Sequence, residues 1–323
     1  MIALLAPGQG AQSPGMLAPW LELQGAQERV ATWSEATGLD LRRLGTTADA
    51  GEIKDTAVTQ PLTVALSLLA AEELARRVTL PTEAPVAGHS VGELTAAAVA
   101  GVLTADEAVA LAAVRGQEMA TACALEPTGM SAVLGGDPAD VTAVLAQLGL
   151  DVANHNGAGQ IVAAGRIEAL AALAALARQQ PARARVLPLP VAGAFHTRFM
   201  APAEHALARY AAQLTAKDPA RPLLSNADGE VVAEGAEMLG RLVAQLTKPV
   251  RWDSCMATLR VLAVTATVEL PPAGKMSGLV RRDCKGTVTL ALKVPEDLDK
   301  VPGLICAHSG TDYSGIDDSG TLA

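Results

Sequence analysis

Apolar positions follow two rhythms along this chain. Ile2 to Ala6 is a short continuous apolar run, the mark of a buried strand, and it ends in the glycine-rich loop Pro7-Gly8-Gln9-Gly10-Ala11-Gln12. Helical spacing follows over Gly25–Ala36 and Thr59–Arg77. Ala84-Pro85-Val86-Ala87 reads as a second strand. Glu93 to Val102, alanine-rich and free of proline, reads as a helix. Thr104 opens a further helix, with Asp106 and Glu107 in its first turn, which runs through Val114-Arg115 to about Ala122.

Pro127-Thr128-Gly129 breaks that pattern, and shorter elements follow. Met130–Leu134 predicts a strand, Pro138–Gln147 a helix and Leu150–Asn154 a strand. Asn156-Gly157 is a hairpin signal; Gln160–Ala164 returns as a strand, Ile167–Arg178 as a helix and Ala184–Val191 as a strand. The order β-α-β-β-α-β is that of a ferredoxin-like unit. We therefore expect an α/β protein with an inserted α+β subdomain over residues 127–193, flanked by a larger domain over 1–126 and 194–294. In its second half, Ala201–Leu214 and Met238–Gln245 read as helices. Leu223 to Asn226 reads as a strand end, Pro249–Trp252 as a link, Val261–Leu270 as a strand and Thr287–Leu292 as a last strand. Residues 295–323 turn acidic, then rich in Gly, Ser and Asp, and are expected to form a frayed tail with no catalytic role.

Half of the 323 residues are hydrophobic and only 2% are aromatic, so a large aliphatic core is available. The net charge of −9 argues against nucleic acid as a partner and against docking to an anionic membrane. No run reaches the ~18–20 uncharged apolar residues that a membrane span requires, and Met1–Leu5 lacks the basic region of a signal peptide. Cys123, Cys255, Cys284 and Cys306 are scattered, with neither C-x-x-C pairing nor a secreted spacing. Reduced thiols in a cytoplasmic protein with no metal site are the expectation.

The chemistry concentrates in Gly88-His89-Ser90-Val91-Gly92, which fits the G-x-S-x-G nucleophile elbow between strand and helix. A serine nucleophile needs a base and an oxyanion hole. Of the five histidines, His89 adjoins the serine and reads as packed. His205 reads as a surface residue, His155 lies near a hairpin tip and His308 in the tail. His196 is the best base: it lies where the small domain returns to the large one, between Phe195 and Phe199. A structural histidine remains the alternative there. No aspartate is placed as a third member, and a backbone carbonyl can satisfy the same imidazole N–H. On the residues alone, Arg115 reads as a cation near a helix C-terminus or in a surface ion pair.

Taken together, Pro7 to Gln12, the elbow with Glu93, Arg115 and Gly193-Ala194-Phe195-His196-Thr197 resemble the malonyl-CoA:acyl carrier protein transacylase family of type II fatty acid synthesis, which is similar to the acyltransferase domains of polyketide synthases. Further matches are Asn154-His155-Asn156, Gly159-Gln160-Ile161-Val162, Ser225-Asn226, Gln245-Leu246, Pro249 to Trp252 and Glu269 to Lys275, so the resemblance spans roughly residues 1–290. It implies a hydrolase-like parallel-sheet domain with a ferredoxin-like insert. It also implies Ser90 as nucleophile, His196 as base, the Gln245 carbonyl orienting His196, and the Gln9 and Val91 N–H groups as oxyanion hole. Arg115 would hold the malonyl carboxylate, with Phe195, Met119, Asn154 and Asn156 around the substrate. No bound cofactor is implied; malonyl-CoA is the substrate and a phosphopantetheinylated acyl carrier protein the partner of an expected monomer.

Phe195 resembles the malonyl-type signature, whose ring would crowd an α-methyl group; one methyl is worth only ~1–3 kcal/mol, so discrimination is expected to be partial. Gly193 and Pro271 depart from the family's pattern. A serine esterase or thioesterase would keep the elbow and histidine but needs no cation for a substrate carboxylate. A carrier-binding pseudoenzyme would have lost Ser90 or His196. An acidic carrier needs a local basic patch on this acidic chain, and Arg178, Arg183 and Arg185, or Lys275, Arg281 and Arg282, could form it.

Overall fold

The computed structural model describes residues 1–179 and 184–308. Its strands are β1 (Ile2–Ala6), β2 (Val86–Gly88), β3 (Thr128–Leu134), β4 (Asp151–Gly157), β5 (Gln160–Arg166), β6 (Arg185–Pro188), β7 (Leu223–Leu224), β8 (Val231–Val232), β9 (Val250–Arg251), β10 (Ala266–Glu269) and β11 (Val288–Ala291). A six-stranded sheet runs in the order β11-β10-β1-β2-β7-β8 and is parallel except for the β7–β8 pair. β1 lies inside it and is buried along its whole length. Ile2, Leu4 and Ala6 point into one core with Trp20, Trp33 and Leu66, while Ala3 and Leu5 point into another with Trp252 and Met256. Burial on both faces is why this strand reads as a continuous apolar run rather than an alternation.

The second sheet runs β6-β3-β5-β4-β9. Its first four strands are antiparallel and, with the helices Pro138–Gln147 and Ile167–Gln179, keep the β-α-β-β-α-β order of a ferredoxin-like unit. Val133, Leu145, Leu150, Ile161 and Leu173 form its separate core. Boundaries differ from expectation: β4 runs on to Gly157 and β6 stops at Pro188 rather than Val191. The β4–β5 turn falls at Ala158-Gly159, with φ of 47° and 71°, two residues beyond the Asn156-Gly157 signal. The expected link at 249–252 is instead β9, which pairs parallel to β4 and ties the two sheets together.

Four helices escaped the sequence pattern: Leu41–Thr46, Trp252–Val261, Lys275–Asp283 and Val301–His308. Trp252–Val261 buries Trp252, Cys255, Met256 and Leu259, at i, i+3, i+4 and i+7. Its last residue, Val261, was expected to open a strand but is 84% exposed at the helix end, and the strand is only Ala266–Glu269. Lys275–Asp283 has no local cap; the buried Glu269 of β10 accepts the N–H groups of Met276 at 3.0 Å and Ser277 at 2.8 Å.

The tail expected over 295–323 is folded through residue 308. A 3₁₀ turn, Pro295–Lys300, leads into the helix Val301–His308. Leu298, Val301 and Ile305 are buried in the main core, each worth ~1.5–3 kcal/mol relative to exposure. The spacing i, i+4 puts Val301 and Ile305 on one face of the helix, with Leu298 just before them in the 3₁₀ turn. Arg77 pairs with Asp299 at 2.8 Å. Residues 309–323 lie outside the described residues.

Candidate active site

The elbow sits at the C-terminal end of β2, where the chain turns into the helix Gly92–Val99. A Cβ on Gly88 would lie 2.1 Å from the Gly92 oxygen, and one on Gly92 would lie 2.3 Å from the Ala6 oxygen. Only glycine allows strand and helix to approach this closely. Ser90 itself takes φ 55°, a left-handed conformation that costs a residue with a Cβ roughly 1–2 kcal/mol. His196 does the same at φ 60°. Such strain persists where the surroundings over-determine it, commonly at functional sites.

The two strained residues meet. Ser90 Oγ lies 2.7 Å from His196 Nε2. His196 Nδ1 lies 2.9 Å from the Gln245 carbonyl, which only accepts, so Nδ1 carries the proton and Nε2 is left to accept from the serine. No carboxylate is needed to fix this tautomer. Burial first, and the nearby Arg115 charge second, hold the imidazole down to about 3, against the opposing pull of the Gln245 carbonyl. A base whose pKa is lowered stays neutral as the pH falls. We therefore expect kcat/KM for acylation of the free enzyme to stay level from about pH 7 to about pH 5, where an ordinary histidine base would lose activity below ~6.5. A pH–rate profile with a break near the ordinary value would contradict this.

Arg115 is neither a helix-end cation nor part of a surface pair. The helix Ala105–Cys123, closed at its start by a Thr104–Glu107 capping box, runs two turns beyond it. Gly116 faces Thr56, whose oxygen would lie 2.7 Å from an added Cβ, so this helix closes tightly on the helix Thr56–Arg77. That contact buries Arg115 to 2% exposure and brings Gln60 to it. Nη1 donates to Gln60 Oε1 at 2.5 Å, and Nη2 donates to Gln245 Oε1 at 2.8 Å and approaches Ser90 Oγ at 3.4 Å. No carboxylate pairs with this cation among the described residues. Burial lowers it only to about 10, so it stays charged at neutral pH.

A cavity of about 430 Å³ opens over Ser90 and His196, and Gln9, Asn154, Asn156 and Phe195 line it. Residues 4–295 match the family model of the acyl transferase domain. The chain belongs to the acyltransferase family. Over 305 residues it is 60% identical to the malonyl CoA-acyl carrier protein transacylase of Mycobacterium tuberculosis (strain ATCC 25618 / H37Rv), covering 94% of this chain and all of that one. The protein of the same name from Bacillus subtilis (strain 168) is 32% identical over 304 residues, 92% of this chain and 95% of its own. The crystal structure of MCAT from Mycobacterium tuberculosis matches with a TM-score of 0.89 at 60% identity, over 93% of this chain and 99% of that one. The Coxiella burnetii malonyl CoA-acyl carrier protein transacylase matches at 0.88 and 28% identity, over 93% and 96%.

The remaining expected residues of this acyltransferase fall in different places. No protein group takes the Gln9 or Val91 N–H among the described residues, although Val91 is 1% exposed. Asn156 Oδ1 accepts from His89 Nε2 at 3.0 Å, and its amide donates to Gln160 Oε1 at 3.1 Å. His89 is thus packed, edge-on to Trp252, yet also lines the cavity. Met119 does not line it; its sulfur accepts from Gln60 Nε2 at 3.3 Å, behind Arg115. At Gly193 an added Cβ would lie 2.4 Å from Cys123 Sγ, so the departure from the family pattern is matched by the cysteine beside it. Gln60 carried no expectation, and Glu93, Asn226 and the Gln245 side chain, although within motifs that resemble the family's, carried none for their side-chain contacts. Glu93 also carried a local signal, as the lone charge in the helix Gly92–Val99.

Proposed function

We propose that this acyltransferase moves a malonyl group from malonyl-CoA to the phosphopantetheine thiol of an acyl carrier protein, through a malonyl ester on Ser90. The observation that carries the substrate assignment is Arg115: a buried cation held by two neutral amides, 3.4 Å from the serine oxygen. A cation so desolvated is costly to keep unless an anion joins it, and the free carboxylate of a malonyl group is such an anion. The names of the relatives agree with this.

His196 Nε2 takes the Ser90 proton as Oγ attacks the thioester carbonyl. The unengaged N–H groups of Gln9 and Val91 are the donors for the oxyanion, and the elbow fixes the second of them beside the nucleophile. As the tetrahedral adduct collapses, the imidazolium returns its proton to the leaving CoA sulfur. The carrier thiol then gives its proton to His196, attacks the serine ester and takes the malonyl group, and Ser90 regains its proton. The Gln245 carbonyl stabilises the imidazolium in both halves. The Phe195 ring lines the cavity where an α-methyl group would need room.

Intact-mass measurement tests the reading. Malonyl-CoA should add one malonyl mass, mapped to the Ser90 peptide, and holo carrier protein should discharge it and gain the same mass. An acyl-enzyme discharged by water regardless of carrier would make this a thioesterase instead.

The carrier surface follows from charge. Lys275 and Arg282 line the cavity, and Arg281 is exposed beside them. Arg178 and Arg185 are exposed on the small sheet's side, while Arg183 lies outside the described residues. Reversing the sign of either cluster should raise the KM for an acidic carrier protein, and the effect should shrink with salt as screening tightens to ~8–10 Å. Steady-state kinetics at two ionic strengths would read it. The reading places a monomer in the cytoplasm.

A further inference from the structure

A buried carboxyl group beside the elbow takes part in none of these steps. Glu93 follows the elbow in the first turn of the helix Gly92–Val99 and is 1% exposed. Among the described residues no Lys or Arg side chain forms an ion pair with it. Its Oε1 accepts the Asn226 N–H at 2.5 Å, and its Oε2 accepts from the side-chain amide of Gln245. Burial pushes this carboxyl up to about 8, and the Asn226 N–H and the Arg115 charge offset only part of that rise.

Each of its two partners holds part of the reacting centre. Asn226 Oδ1 accepts the Ser90 N–H at 2.8 Å, and Asn226 Nδ2 donates to the Gly88 carbonyl at 2.7 Å, so Asn226 clamps both sides of the elbow. Gln245 gives its main-chain carbonyl to His196 and its Oε1 to Arg115. The Gln245 amide has one self-consistent orientation. Turned over, it would oppose an oxygen to Glu93 and an N–H to Arg115.

We propose that Glu93 is a positioning residue: it fixes the orientation of the Gln245 amide, and so holds the Arg115 guanidinium in place for the acyl carboxylate. This rests on the malonyl transfer proposed above. A glutamine at position 93 offers only one acceptor. The Asn226 N–H belongs to the main chain and cannot turn away, so it keeps that acceptor. The new amide NH₂ then opposes the Gln245 NH₂, whose other contacts, to the Ser90 carbonyl at 3.3 Å and Asn226 Oδ1 at 3.4 Å, are long. Relieving the clash turns the Gln245 amide over and presents its NH₂ to Arg115. Arg115 loses one of its two anchors. An aspartate keeps two acceptor oxygens and should keep the Gln245 orientation.

The test is the ratio of kcat/KM for malonyl-CoA to that for acetyl-CoA, read as acylation of Ser90 in the full-length enzyme. Glu93→Gln should lower the ratio about tenfold or more, the loss of one charge-assisted hydrogen bond, and mainly through a raised KM for malonyl-CoA. Glu93→Asp should keep the ratio within about threefold of wild type. A merely structural glutamate would slow both acyl groups alike and leave the ratio unmoved, and that result overturns the proposal. If Glu93→Gln does not fold, Gln245→Leu carries the test, since removing the bridge must lower the ratio comparably; an unmoved ratio overturns the proposal there too. In a Gln245→Leu background, Glu93→Gln should have no further effect on the ratio. A wild type that malonyl-CoA does not acylate, or whose ratio survives Arg115→Ala, overturns the functional reading and this inference together. A ratio that depends on Arg115 but not on Glu93 overturns this inference alone.

Discussion

Ser90→Ala is expected to abolish formation of the malonyl-enzyme and to lower transfer on the order of 10⁴–10⁶-fold, as loss of a nucleophile does where base and nucleophile act as a unit. The geometry leaves no substitute. Oγ is the only hydroxyl that meets His196 Nε2 at 2.7 Å among the described residues, and the φ of 55° exists to present it. His196→Ala should cost at least ~10³-fold, because no carboxylate stands behind the imidazole to take over proton transfer. Combining the two should cost little more than either alone. Intact mass after mixing with malonyl-CoA reads the first effect, and single-turnover kinetics the second. A Ser90→Ala protein that still acylates stoichiometrically would remove the assigned nucleophile. Thermal melts should separate chemistry from folding, since both side chains lie at the cavity wall.

How much of this was legible depended on how local each signal was. The elbow was readable because its two glycines, its serine and the following helix are contiguous, and the steric reason for them lies in β1 and in the turn itself. His196 was readable because it sits between two of the chain's few aromatic residues at the return from the small sheet. On the residues alone Arg115 read as a helix-end or surface cation, and only the resemblance gave it a substrate role, because its burial depends on Gln60 and on the Gly116–Thr56 contact, both brought by a helix far earlier in the chain. The role expected for the Gln245 carbonyl came only through resemblance; nothing about a glutamine at a helix end announces that its carbonyl will face an imidazole. The helix Lys275–Asp283 was invisible for a similar reason, since its N-terminus is capped from β10 by Glu269. In the tail, acidic and glycine-rich composition outweighed a real apolar spacing at Leu298, Val301 and Ile305.

Arg115→Ala is expected to lower malonyl transfer at least ~10–100-fold while acetyl transfer falls much less, since a charge-assisted hydrogen bond to a buried group is worth ~1.5–3 kcal/mol. The asymmetry follows from charge. An acetyl group presents no carboxylate, so it gains nothing from the guanidinium and loses nothing when it goes. Some general loss is expected, because the substitution leaves Gln60 Oε1 and Gln245 Oε1 without their donor, and Gln245 also orients His196 through its main chain. That loss should be common to both acyl groups and should cancel in their ratio. Arg115→Lys should restore charge but little selectivity. The ammonium has no planar fork and cannot reach Gln60, Gln245 and a carboxylate in one arrangement. Burial would also push it toward the neutral amine, as it already lowers Arg115 to about 10. Parallel kcat/KM values for malonyl-CoA and acetyl-CoA on wild type and both variants decide the matter. If both acyl groups suffer equally, Arg115 only supports the fold around the serine, the carboxylate must be bound elsewhere, and the esterase or thioesterase reading gains the ground that Arg115 now holds.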